Sequence, residues 1–371
     1  MNTPAPTVAL SLKPDLAATA ARFDAWWQGG IADRSPITLP ATPLAAAPTT
    51  DDSPRTPRQW REHWLHVEDR VDDAIARLQA RGYPADNLPV LMPNVGPELT
   101  ATLYGCELEF GPHTSWSTPI VHTLDDWHRL LEREPDFTGV YWQTIERMLG
   151  RACERCDGRY IVGLPDLHGN FDILAALRDP QQLCLDLVDA PELVAKAALH
   201  VARGYNAALA RACDVVGPLG GGYSTWTPFH ASTPAYLPSC DFWCMISADD
   251  ARQHVMPAIL EESRLLSRSL FHLDGPAALR HLDLLLEWKQ LDAVQWVYGA
   301  GQEPASRWID IYRRIRAAGK SVQLIAVDVE DACAVIHRIG LKGVWVCCQS
   351  LSPCRTADEA IERITRAGAA C

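Results

Sequence analysis

His272 and Asp274 stand two residues apart in the stretch SLFHLDGP, where an apolar run is broken by Gly275-Pro276. Residues two apart on a strand point to the same side, so this imidazole and carboxylate share one face at a strand tip. Such a pair suits metal ligation or proton transfer. Zinc takes nitrogen, oxygen and sulfur ligands, and a catalytic zinc keeps one position open. His272, Asp274 and a thiol from the final apolar run, Cys347 or Cys348, compose such a set. The competing arrangement has His272 and Asp274 bonded to each other and the thiols packed as small hydrophobes.

Other apolar runs end in groups of the same kind. The run at 88–93 delivers Asn94, with Glu98 and Tyr104 just after it. The run at 160–164 leads to Asp166 and His168, and the run at 215–220 to Tyr223, Thr225, Trp226 and His230. Gln295, Trp296 and Tyr298 belong to the run at 292–297, and Gln323 and Asp328 to the one at 321–327. Asp166 and His168 are the candidates for handling protons together with His272. Asn94, Glu98, Tyr223 and Gln323 are candidate substrate contacts, and Trp226, Trp296 and Tyr298 candidate pocket walls. This inventory holds hardly an arginine or lysine. A substrate rich in carboxylates or phosphates needs such cations, so the expected ligand is uncharged or cationic, or a metal.

These groups need a scaffold that gathers strand ends. The last third alternates apolar strands with helices: RSLFHLDG, LDAVQWVYG, SVQLIAV and LKGVWVCC are each followed by a helical segment. Near-continuous apolar strands are buried on both faces, which implies a parallel sheet. About seven strands can be placed. An eight-stranded barrel and an open doubly wound sheet both fit, and the lack of a GxGxxG after any strand weighs against nucleotide binding. Ahead of this, residues 14–32 read as a short helix, 33–54 as an extended connector and 55–82 as one long helix. A helix is expected at 190–213 and a strand at 215–220. Ser247 is the expected cap of a helix to 266.

The 371 residues are 47% hydrophobic and 22% charged, with a formal net charge of −12. That balance disfavours nucleic acid and anionic membranes as partners. No apolar run is long enough to span a bilayer, and the opening residues lack a signal-peptide pattern, so a cytoplasmic protein is expected. Twelve cysteines without framework spacing are expected to be reduced thiols. The CxxC of Cys153 and Cys156 reads as two thiols on a helix end, since no second pair completes a zinc site.

The order of CDFWCMISADDARQHVMPAI, LFHLDGPAALRHLD, LDAVQWVYGAG and the last strand and helix resembles the uroporphyrinogen decarboxylase superfamily. The resemblance covers roughly residues 86–370. It implies an α/β fold, a TIM (β/α)8 barrel, with residues 1–85 as an N-terminal helical extension and 86–371 as the catalytic domain. It lies closer to the zinc-dependent methyltransferases that use corrinoids than to the decarboxylase, because LPVLMPNVGPELTATLYG lacks the basic residues with which the decarboxylases grip carboxylates. The methyltransferase metal motif is His-x-Cys plus a later Cys. His272 matches the His, Asp274 replaces the first Cys, and Cys348, nearer the strand end than Cys347, is favoured for the last. The resemblance thus implies zinc, a corrinoid co-substrate, a small-molecule substrate and possible partners in a corrinoid protein or a second copy of the chain. The rivals are a metal-independent decarboxylase or lyase using Asp166 and His272, and a barrel that binds a tetrapyrrole without turning it over.

Overall fold

A computed structural model of the chain describes residues 9–46 and 55–369. Part of the expected connector, 47–54, lies outside them. Eight strands pair in parallel: β1 (Ile37–Thr38), β2 (Val90–Leu91), β3 (Ile161–Val162), β4 (Ala235–Tyr236), β5 (Arg268–Asp274), β6 (Ala293–Val297), β7 (Ser321–Ala326) and β8 (Val344–Cys348). Six of them form one curled sheet in the order β1-β8-β7-β6-β5-β4, while β2 and β3 pair apart. The expected closed barrel is therefore corrected to a half-barrel sheet with a detached pair.

Proline explains the interruption, because it cannot donate to a ladder. Pro89 and Pro93 flank β2, Pro165 follows β3, and Pro234 and Pro238 flank β4. Side chains bridge where the ladder stops. Asn87 donates from Nδ2 to Leu39 O (2.6 Å) and accepts from Leu39 N at Oδ1 (2.9 Å). The Tyr236 hydroxyl donates to Pro165 O and accepts from Leu167 N, both at 2.7 Å.

Period-two alternation sorts each strand. Phe271, Leu273, Val294, Trp296, Val322, Leu324, Val346 and Cys348 face outward into a core shared with the helices. Leu270, Ala293 and Trp345 face inward, into a second core with Phe23, Trp26 and Trp27. Those three aromatics belong to α1 (Leu16–Trp27), which closes the end where the strands begin. Trp26 Nε1 donates to Val322 O (3.2 Å) and Trp27 Nε1 to His230 O (2.8 Å), so both indoles are satisfied in the buried interior.

The N-terminal residues are thus built into the fold. β1 lies within the main sheet, a strand the sequence reading did not place. Asp86, fully buried, accepts from Thr19 Oγ1 (3.1 Å), Arg22 (2.8 Å), Arg34 and Ile37 N (2.8 Å). The chain is tied together across the expected boundary at 85/86.

Two other expectations change. The helix at 55–82 is two, α2 (Pro57–Leu65) and α3 (Val67–Gln79). They break at His66, whose backbone is extended and whose ring Nδ1 accepts from Asp69 N (3.4 Å) to cap α3, with Glu68 and Asp69 in the first turn where negative charge is favoured. The strand expected at 215–220 is instead the end of the helix Pro191–Val216 and a turn, Gly217–Leu219, closed by left-handed Gly220. The chain re-enters the sheet only at β4. Ser247 does cap its helix, accepting from Asp250 N (3.1 Å). Among the described residues, no helix is long and apolar enough to cross a membrane.

Candidate active site at the strand ends

Strand β5 carries His272 and Asp274 on its inner face, and the segment after β4 brings Asp241 to them. One ligand atom from each of Asp241, His272 and Asp274 lies within 4.8 Å of the others. Asp241 was not anticipated. Its signal was the polar CDF following an apolar YLP, but with a strand expected at 215–220 the stretch 235–241 did not read as a strand and its tip. A buried neighbour positions it: Asp172 accepts from Asp241 N (3.1 Å), Phe242 N (2.9 Å) and Ser239 Oγ (3.4 Å). The Asn170 amide donates to Ser239 O (2.8 Å) from the same direction.

Burial and neighbouring charges shift the carboxyls of the cluster. Burial, then the neighbouring Asp172, push the Asp241 carboxyl above the ordinary range; His272 and His168 oppose that rise and Asp274 adds to it. Asp166 is also pushed up, by burial first, with His168 and His272 opposing. Four carboxyls, of Asp166, Asp172, Asp241 and Asp274, and two imidazoles thus act on one another around this mouth. The Trp226 ring meets the His272 ring edge to face, with centroids 5.2 Å apart and planes at 87°.

Below the mouth, His272, Gln295 and Gln323 lie in direct register on β5, β6 and β7. His272 Nδ1 hydrogen-bonds Gln295 Oε1. Gln295 Nε2 donates to Gln323 Oε1 (2.8 Å) and Thr227 Oγ1 (3.3 Å), and Gln323 Nε2 to Cys347 Sγ (3.3 Å). Burial pushes the Cys347 thiol up to about 11, so it stays protonated near neutral pH.

The chain shares this fold with a methyltransferase. That protein, from Methanosarcina mazei, overlays with a TM-score of 0.53 at 12% sequence identity, covering 95% of this chain and 98% of that one. A B12-independent methionine synthase from Shewanella sp. W3-18-1 aligns over 90% of this chain and 96% of its own at 11% identity, with a TM-score of 0.36. No protein-family model matches the chain, and no curated protein sequence matches it. At this identity the likeness is one of fold.

Several sequence candidates lie elsewhere. Cys348 faces outward, against Cys333, Asp328 and Asp331 in the helical layer, because it has the opposite parity to His272 and Gln323. Cys347 has the inward parity, but it sits one amide beyond Gln295 and is not among the clustered ligand atoms. Trp296 and Tyr298 also face outward; Trp296 packs edge to face on Trp308 at 5.3 Å, and neither walls the mouth. Tyr223 lies against the C-terminal end of the helix Pro191–Val216, where its burial and the nearby Cys213 raise its pKa. Glu98 accepts from Ser117 N and so braces the hairpin Leu108–Phe110/Ser115–Ser117, while Asn94 closes its own turn by accepting from Gly96 N (2.6 Å). Asp328 caps the helix Val329–Ile339, accepting from Asp331 N (2.8 Å).

Proposed function

We propose that this protein is an enzyme of methyltransferase type, moving a methyl group between a small molecule and a corrinoid, free or carried by a partner protein. The observation that carries the reading is the meeting of Asp241, His272 and Asp274 at the strand ends of a fold shared with a methyltransferase. One imidazole nitrogen and two carboxylate oxygens are competent zinc ligands and leave a position open. The donor set fits a cation for a second reason: Asp241 and Asp274 bring two carboxylates together with one imidazole, and Asp172 and Asp274 add to a rise of the Asp241 carboxyl that burial begins. With oxygen replacing both family thiolates, the set is harder than the resemblance implies.

A bound zinc-type ion supplies Lewis acidity toward a donor or acceptor atom. The chain's own residues do the rest. Trp226 walls the mouth beside His272 and shields it from water. Asp166, held toward its protonated form, and His168 offer and take protons at the substrate. Asp172 and Asn170 fix the loop that carries Asp241. The shortage of cations around the mouth favours an uncharged or cationic substrate over a polycarboxylate.

A second reading starts from Asp166, whose carboxyl is raised by burial with His168 and then His272 opposing, and from His272 itself. It makes the two an acid–base pair for a metal-independent lyase. Elemental analysis of protein purified without chelator separates the readings. The methyltransferase reading expects about one zinc per chain in the wild type and almost none in His272→Ala and Asp241→Ala. Equal, near-zero metal in all three removes it and leaves the acid–base pair. With metal bound, loss of the methyl group from a methylcorrinoid, followed by absorbance, tests the reaction itself.

A further inference from the structure

Two buried glutamines on neighbouring strands have no role in the cluster yet stand behind its only imidazole. Gln295 is 3% exposed and Gln323 5%. A primary amide buried without partners is strongly disfavoured, so the bonds these amides make are the condition of their being there. Those bonds form a line: His272 to Gln295, Gln295 to Gln323, Gln323 to Cys347. Thr38, in register with Cys347 on β1, hydrogen-bonds the same thiol. The line thus crosses β5, β6, β7, β8 and β1.

Each amide in the line has one polarity. Gln295 Nε2 serves Gln323 and Thr227, so its oxygen is the atom turned to His272. An amide oxygen only accepts, so the ring nitrogen facing it must carry hydrogen. The opposite ring nitrogen then holds the lone pair. We propose that Gln295 and Gln323 are positioning residues that lock His272 in the Nδ1–H tautomer and present the Nε2 lone pair to the mouth. The tautomer follows from the hydrogen-bond line alone; its use in holding a metal rests on the function proposed above. A neutral imidazole left in water favours hydrogen on Nε2, where it cannot ligate through that atom. The line therefore reverses the intrinsic preference at the place where a ligand or a proton acceptor is needed. Reversing every member would give the opposite tautomer, with the thiol donating to Gln323. In the orientation found here the Gln295 amino group donates to Gln323 and Thr227 and its oxygen faces the ring, and the nitrogen–proton spectrum distinguishes this line from its reverse.

The test is long-range nitrogen–proton NMR of metal-free protein labelled at histidine, with His272 assigned by its absence in His272→Ala. At a pH where the ring is neutral, the wild type is expected to show the Nδ1–H pattern. Gln295→Leu is expected to show the Nε2–H pattern, and Gln323→Leu a mixture, because Gln295 is then free to turn over. Gln323→Glu returns an acceptor to Gln295 and is expected to restore the wild-type pattern. An Nε2–H wild type overturns the proposal, as does a pattern that none of the variants moves. If Gln295→Leu does not fold, the Gln323 pair decides, because that side chain does not touch the ring. Zinc affinity is a separate arm, with a loss of about 10–100-fold expected in Gln295→Leu. A wild type with the Nδ1–H pattern that binds no zinc upholds the tautomer lock and removes the metal reading.

Discussion

Glu262 offers a measurement of how dry the supports of this site are. It ends the helix Met256–Glu262, 1% exposed, and its carboxylate accepts from Asn170 N and from Asn170 Nδ2 (2.8 Å). A Cβ placed on Gly169 would come within 2.4 Å of that carboxyl, so there is no room for water there. Burial raises its pKa from 4.5 to about 8, against the two Asn170 bonds and with Asp172 adding to the rise. Below pH 4.5 the group is protonated whether the chain is folded or not. Between 4.5 and about 8 the unfolded chain releases the proton while the folded one keeps it, so stability falls as pH rises. Above that window the loss is complete. At about 1.4 kcal/mol for each tenfold in proton affinity, the whole loss is about 5 kcal/mol at most. Glu262→Gln removes the ionisation and keeps the shape. Urea unfolding of both proteins across this range should show the wild type losing stability relative to the Glu262→Gln variant as pH rises, then running parallel to it. Curves parallel throughout, within about 1 kcal/mol, would show the carboxylate already ionised at acid pH, with the Asn170 bonds outweighing burial.

Removing Asp86 by Asp86→Ala leaves two arginines and two further donors without their buried acceptor and should cost about 3–5 kcal/mol in urea unfolding. Trp26→Ala empties the core between α1 and the strand starts and should cost about 3–5 kcal/mol, read by the same assay, with far-ultraviolet circular dichroism still native below the transition. Asp274→Cys restores the thiolate of the family motif and should tighten zinc binding in competition with a chromogenic chelator; unchanged affinity would place residue 274 outside the ligand set. Uroporphyrinogen should not be decarboxylated by the pure enzyme, because the mouth offers its carboxylates acidic partners instead of cations; turnover measured by product chromatography would overturn that.

What the sequence determined by itself is short in range. β5 to β8 were legible because strands buried on both faces leave long apolar runs, and the side shared by His272 and Asp274 follows from the two-residue period. Ser247 was legible because a cap acts within three residues. Tertiary structure decided the matters that depend on distant partners. Whether Cys347 or Cys348 looks inward turns on the direction in which β8 pairs with β1 and β7, which no pattern within VWVCC records. Trp296 and Tyr298 read as pocket walls until pairing assigned them the outer parity. Asp241 joined His272 only because Asp172, on a different helix, holds its loop through two backbone amides. The short strands β2 and β3 were legible as the runs 88–93 and 160–164, but β1 escaped notice and β4 was misplaced for a related reason. Two residues of ladder leave no periodicity, and prolines around β2, β3 and β4 transfer the cohesion to side chains such as Asn87 and Tyr236, whose bonds form only once the strands are already side by side.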